Sequence, residues 1–374
     1  MNESIRALFP AATEYTYLNS AAVSPPPTTA VQAVMSQLND VSHHGTEHYT
    51  DWIATKDRAR ALLASMLNVG AEHVAFMRNT SDGIATIGNG LDWNTRDNIV
   101  SFAGEFPANF YPWRRIRDKH GVELRLCPER DGRIELGELT SLIDENTRLV
   151  TISAVQFASG FQADLQHLAE AAHAVGALFA VDIIQALGAR AFDLPALGVD
   201  IAAGASHKWL CGPEGCGFLY LSDSAREAVE PTLTGWISVE TPWDFEDREQ
   251  PWQSSALAWE SGTGCSSLFY GLEQSLKLLT ETGLETIEAY LGGLTDHLCE
   301  MLAGTPYAIV SSRAPGERSA IVCLRHTGGI HCSEIARQLQ EHGIIVSPRN
   351  DRLRISPHFY NTVEDIERLV EHLP

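Results

Sequence analysis

The chain has 374 residues, of which 44% are hydrophobic and 20% charged, and its formal net charge is −21. That length supplies a large core and more than one domain, and the acidic balance argues against nucleic acid or anionic membranes as partners. Met1 to Pro10 is too polar for a signal peptide, and no stretch approaches the roughly 20 apolar residues of a membrane helix, so a cytoplasmic protein is expected.

In chain order, Pro25-Pro26-Pro27 marks a rigid extended turn. From about Thr50 to Leu67, Trp52, Ala59, Leu62 and Leu63 recur near helical spacing and Gly70 follows as a stop, which predicts an amphipathic helix. His73 to Met77, Asn98 to Phe102, Val122 to Cys127 and Leu149 to Ala154 read as strands with helices between them, the alternation of an α/β domain. Leu178-Phe179-Ala180-Val181 is a short apolar run ending in Asp182, the pattern of a buried parallel strand whose carboxyl end opens into a site. Asp200 to Ala205 is a second such run. A glycine-bearing turn, Gly212-Pro213-Glu214-Gly215-Cys216-Gly217, leads into the strand Phe218 to Leu221.

Residues 232–265 have little periodicity and predict a long ordered loop over the site. Helical patterning resumes from Gly271. From about Thr280 the tail alternates helix, strand, strand, helix, strand, strand and helix, which suits a smaller α+β domain. Its last helix opens at Asn361 or Thr362, with Asn361 and Glu364 resembling a capping box.

The chemistry concentrates where two of these strands end. Ser206-His207-Lys208-Trp209 follows one run and Asp182-Ile183-Ile184-Gln185 closes the other. A buried lysine has its pKa pushed down, so its amine is available to form a Schiff base with pyridoxal phosphate. A carboxylate such as Asp182 keeps the pyridine nitrogen protonated, and the protonated ring then stabilises a carbanion at the substrate's α carbon. Either residue alone reads more simply as a surface lysine or a strand-end cap; the pair at adjoining strand ends is the informative feature. The seven cysteines (127, 211, 216, 265, 299, 323 and 332) include no Cys-x-x-Cys pair, so reduced thiols and no metal site are expected.

These motifs, from Tyr17-Leu18-Asn19-Ser20-Ala21-Ala22 to Arg354-Ile355-Ser356-Pro357-His358-Phe359-Tyr360-Asn361, resemble the aminotransferase class V family of fold type I pyridoxal phosphate enzymes. That family includes cysteine desulfurases, isopenicillin N epimerase and kynureninase. The resemblance implies an α/β large domain with a mostly parallel seven-stranded sheet (residues 31–275), a smaller α+β C-terminal domain (276–374) and an N-terminal segment (1–30) associated with the latter. It implies pyridoxal 5'-phosphate as cofactor, a small amino-acid substrate, and a homodimer with a shared active site.

Residue by residue, Lys208 and Asp182 take the catalytic roles. Asn79-Thr80-Ser81-Asp82-Gly83 follows a strand and opens a helix, so its free N–H groups suit an anion, and Thr80 and Ser81 are the candidate phosphate ligands beside Ser206 and His207. Thr263, in Glu260-Ser261-Gly262-Thr263, matches the residue that reaches the phosphate from the neighbouring subunit. Phe106 is the candidate for stacking on the ring, with a core phenylalanine as the alternative. Gln185 is assigned the phenolic oxygen, with Gln156 sharing that role. Arg354 matches the arginine that holds the α-carboxylate, and Arg349 and Arg352 compete for the part.

A persulfide-forming desulfurase also needs a nucleophilic cysteine on the loop before that arginine. The segment His342 to Asp351 holds none. The expectation is therefore an aminotransferase first, a β-eliminating C–S lyase second, and third an epimerase, for which His358 or Tyr360 would supply the second base. The non-enzymatic alternative, a degenerate cofactor-binding or interaction protein, would be marked by loss of Lys208 or Asp182, and both are present.

Overall fold

The computed structural model describes residues 3–374. Its strands, in chain order, are β1 (Thr16–Tyr17), β2 (Val74–Met77), β3 (Asn98–Phe102), β4 (Glu123–Cys127), β5 (Thr147–Ser153), β6 (Leu178–Asp182), β7 (Ile201–Ala205), β8 (Gly217–Leu221), β9 (Tyr307–Ile309), β10 (Val322–His326), β11 (Ile344–Ile345), β12 (Ser347–Arg349) and β13 (Arg352–Ile355). Seven of them form one sheet in the order β2-β8-β7-β6-β5-β3-β4. β8 runs antiparallel to both its neighbours and every other pair in this sheet is parallel. This is the α/β architecture with a mostly parallel seven-stranded sheet.

Both faces of the sheet are covered, which is why its central strands read as continuous apolar runs rather than alternating ones. On one face lies the helix Leu165–His173, which buries Leu165, Leu168, Ala169 and Ala172, the stripe expected of one helical side. Asp164 caps it by accepting from the His167 amide at 3.1 Å. On the other face the helices Thr80–Gly90 and Tyr111–His120 place Ile84, Ile87, Trp113 and Ile116 against Ile99, Leu149 and Ala180.

A second, antiparallel sheet has the order β12-β13-β10-β9. The N-terminal β1 pairs in parallel with β11, Thr16 opposite Ile344 and Tyr17 opposite Ile345. These two-residue strands carry no periodicity, and sequence reasoning missed both of them.

Three expectations change in detail. The last helix, Val363–Glu371, is capped by Thr362 and not Asn361; its reciprocal partner is Asp365, whose carboxylate accepts from the Thr362 amide at 3.1 Å. Asn361 instead donates its side-chain amide to that same carboxylate. The helix predicted from Gly271 begins earlier and spans Ser266–Thr282. The loop 232–265 contains the short 3-10 turn Ala256–Trp259 and an isolated antiparallel bridge between Val239 and Trp252, and none of its residues lines the cavity that holds Lys208. Within one subunit it does not run over the site.

Candidate active site

Because β2, β3, β5, β6 and β7 point the same way, their carboxyl ends deliver five connections to one edge of the sheet, where ligands of open α/β sheets bind. A cavity of about 260 Å³ opens there. Asp182 ends β6, and Lys208 follows β7 by three residues; both line the cavity and both are buried. The Asp182 carboxylate accepts from the Ile184 amide at 2.9 Å. Burial pushes its pKa up, against the opposing pull of the Lys208 ammonium. Burial likewise pushes the Lys208 pKa down, with Asp182 acting the other way. A cation brought against Asp182 would restore its charged form.

Thr80 and Ser81 line the same cavity at the start of their helix. Asn79 caps that helix by accepting from the Asp82 amide at 2.9 Å, which leaves the earlier amides free. The Thr80 hydroxyl is buried without a hydrogen-bond partner, which is what an absent anion would leave behind. The helix start is set against β8 by Gly217, where a Cβ atom would stand 2.6 Å from the Asn79 backbone.

His207 also lines the cavity, its pKa lowered by burial and by Lys208. Ser206 is fully buried, lies outside the cavity lining, and donates its hydroxyl to the Pro213 carbonyl.

Phe106 faces the cavity and is 41% exposed, so it is no core residue. It meets Phe157 edge-on with centroids 5.1 Å apart. Gln185 lines the cavity while donating to the Ala21 carbonyl and accepting from the Trp209 indole, each at 3.0 Å. One amide N–H of Gln185 remains free of these contacts. Gln156 does not reach the cavity lining; its amide donates at 2.8 Å to Glu105, a buried carboxylate that also accepts from the Ser153 amide and hydroxyl. Glu105 was missed by sequence reasoning as a site-building residue, although its place one turn beyond β3 was a signal.

At the far wall, Arg354 is only 1% exposed. It donates to the Phe157 carbonyl at 2.9 Å, while its Nε and Nη2 are buried without partners. Burial and the neighbouring Arg349 push its pKa down to about 9. Arg352, the other competitor, is turned to Glu129 in an ion pair. Arg349 lines the cavity together with Arg354.

Thr263, like Ser206 and Gln156, does not line the Lys208 cavity of its own chain. It lies in a separate cavity of about 480 Å³ with Lys56, Glu260, Gly262 and Gly264. His358 and Tyr360 do not line the Lys208 cavity either. His358 accepts from the Phe359 amide through Nδ1 and donates from Nε2 to the Trp209 carbonyl, and burial lowers its pKa to about 4. Tyr360 is bonded to Ser20.

No cysteine lines the cavity. Burial raises the thiol pKa of Cys323 to about 11 and those of Cys211 and Cys216 to about 12. Asp40, His44 and His48 place ligand-type atoms within 4.8 Å of one another, but at the surface, where both imidazoles are bonded to Asp40.

The profile of aminotransferase class-V proteins matches residues 16–369. The chain belongs to the aminotransferase class-V family. A cysteine desulfurase of Klebsiella pneumoniae is 29% identical, the alignment covering 99% of this chain and 97% of the relative. The uncharacterized aminotransferase YcbU of Bacillus subtilis is 24% identical with the same coverage. In three dimensions the apo cysteine desulfurase of Thermococcus onnurineus superimposes with a TM-score of 0.89 at 24% identity, over 99% of this chain and 96% of the other. A class-V enzyme uses pyridoxal phosphate, and the orphaned Thr80 hydroxyl, the helix amides beside it and the Lys208–Asp182 pair fit that group. Among the described residues no helix is long and apolar enough to cross a membrane.

Proposed function

We propose that this class-V enzyme is a C–S lyase acting on a small sulfur-bearing α-amino acid, which reverses the order in which the sequence ranked transamination and elimination. The observation that carries this reading is the full-length likeness, at 29% identity, to proteins named cysteine desulfurase. Two features of the site add support. Lys208 is the one amine in the cavity, and no thiol stands there to take up sulfur as a persulfide. An epimerase would need a base on the opposite face, and His358 and Tyr360 both point elsewhere.

When bound, pyridoxal phosphate supplies the electron sink for charge developing at the substrate's α carbon. Thr80, Ser81 and His207 hold its phosphate, Ser206 contributing when its hydroxyl leaves Pro213. Asp182 takes the ring nitrogen, Phe106 covers the ring face, and Gln185 gives its spare N–H to the phenolic oxygen. Gln156 acts from behind through Glu105. Arg354 fixes the α-carboxylate with its unpaired Nε and Nη2, a bidentate geometry that sets the α-hydrogen. The Lys208 amine, held toward its neutral form by burial, removes that hydrogen as a proton, and the thiolate departs from the β carbon.

We further infer a homodimer with Thr263 completing the partner's site. Its place outside the Lys208 cavity supports this, as does the apolar surface nearby, where Trp236, Trp243 and Phe245 are 39, 54 and 57% exposed. The large unit is taken as residues 31–275 and the small one as 276–374 with 1–30 attached, in keeping with the β1–β11 pairing.

Incubating the holoenzyme with L-cysteine and L-cystine tests the lyase reading. Release of pyruvate and ammonia is expected from both, with sulfide leaving from L-cysteine and cysteine persulfide from L-cystine. Conversion to the pyridoxamine form with release of a keto acid would replace it by transamination, and solvent deuterium entering the α carbon without product would replace it by epimerisation.

A further inference from the structure

The wall formed by β12 and β13 carries more positive charge than one amino-acid carboxylate requires. Ser347 stands opposite Arg354 and Arg349 opposite Arg352 in this antiparallel pair, so all four side chains share one face. Three guanidinium groups on one small face repel one another unless anions separate them. Arg352 has its anion, Glu129. Arg349 and Arg354 both line the Lys208 cavity, and neither has an ion-pair partner among the described residues. The hydrogen bond described for Arg349 is a single one at 2.8 Å, to the carbonyl of the adjacent Pro348, and it leaves the rest of the fork free.

The other charges of the cavity are accounted for under the proposed function. Asp182 faces the ring nitrogen, the opening of the helix Thr80–Gly90 faces the phosphate, and Arg354 faces the α-carboxylate. One guanidinium is left over, in a half-buried position where an uncompensated charge costs stability. An arginine is kept in such a place when its fork meets a planar anion.

We propose that Arg349 is a specificity residue that receives a second carboxylate, one carried on the side chain of the substrate. The preferred substrate is thus a sulfur-bearing α-amino acid with a distal carboxylate beyond the sulfur, as in an S-carboxyalkyl cysteine or in cystine, whose second half supplies it. Arg354 takes the α-carboxylate, Arg349 the distal one, and the Cβ–S bond lies between them beside Lys208. This rests on the lyase reading for the sulfur, but the charge preference can be measured without turnover.

The test uses two unreactive five-carbon acids, glutarate with two carboxylates and valerate with one, titrated calorimetrically into the holoenzyme. Glutarate is expected to bind at least about tenfold more tightly than valerate. R349L should bring glutarate down to the valerate value, R349K should restore part of the difference, and R354L should weaken both ligands. Equal affinities for the two acids on the wild-type enzyme overturn the proposal without recourse to any variant. So does an R349L protein that loses both ligands alike, since Arg349 would then share the α-carboxylate. Pyruvate release from S-carboxymethyl-L-cysteine against S-ethyl-L-cysteine reads the same preference in turnover. A glutarate preference with no pyruvate from either substrate leaves Arg349 in place and removes the lyase reading instead.

Discussion

The Lys208 amine stands 5.4 Å from the centre of the Phe106 ring. The two residues come from different strand ends, one following β7 and the other β3, and the gap between them is the slot in which a planar ring can lie. Under the function proposed above, Phe106 would limit where the cofactor ring sits, and Lys208 where its reactive carbon points.

Lys208→Ala should give a folded protein that lacks the visible absorbance of a lysine-bound cofactor, because no other amine lines the cavity. The check is an absorption spectrum followed by borohydride reduction and peptide mapping. A yellow variant with a reducible covalent label elsewhere would remove Lys208 from this role.

Asp182→Asn should retain bound cofactor and lose more than about tenfold in turnover, or ~1.4 kcal/mol of barrier, since an amide cannot keep the ring nitrogen protonated. Steady-state kinetics beside a cofactor-content assay decide it. A smaller loss would make the carboxylate a cap for the Ile184 amide, the contact it makes here.

Glu260 is buried between Lys56 and Arg60 and accepts from the Phe76 amide at 2.8 Å. Burial opposes its charge, but the two cations prevail and hold its pKa below the ordinary value of 4.5. The folded-state pKa is the lower one, so this stability is present above pH 4.5 and is lost as pH falls through the folded value. Glu260→Gln should cost about 3–5 kcal/mol near neutral pH, the usual loss when one partner of a buried pair is removed. Denaturant titrations from pH 7 to 3 should show wild type and variant converging at the acid end.

His358 is neutral in the folded state, its pKa lowered from 6.5 to about 4. An unfolded chain takes up a proton there below pH 6.5 that the folded chain refuses, so stability falls as pH drops from 6.5 toward 4. His358→Gln should flatten that part of the stability profile. Because the imidazole is bonded to the Trp209 carbonyl and lies off the cavity, an exchange of substrate α-hydrogen that depended on it would contradict the site described here.

Mixing Lys208→Ala protein with Thr263→Ala protein tests the shared site. If Thr263 serves the partner's cofactor, each heterodimer contains one site in which both residues are wild type. Spectrophotometric cofactor titration should then show a fraction of sites with wild-type affinity. A plain average of the two parent proteins would mean that each subunit builds its site alone.

Much of the candidate site was local and therefore readable in the sequence. Lys208 and Asp182 close apolar runs, and such runs, buried on both faces, must be inner strands of a parallel sheet whose carboxyl ends share one edge. Asn79-Thr80-Ser81 likewise announced a helix start with free amides, because capping depends on a few consecutive residues.

What the sequence left open depends on contacts between distant segments and on side-chain direction in irregular backbone. Arg349, Arg352 and Arg354 look alike as letters; only the packing of β13 against residues 129–158 gives Arg352 an acid and leaves Arg349 and Arg354 facing the cavity. The β1–β11 pair joins residues more than three hundred positions apart, with two residues on each side and no period to betray it. His358 sits next to motif residues in the chain, yet the turn of the backbone carries it against Trp209 and off the cavity. Local pattern settles which elements form and what chemistry their ends can do, whereas the long-range packing of those elements selects which neighbouring side chains share one space.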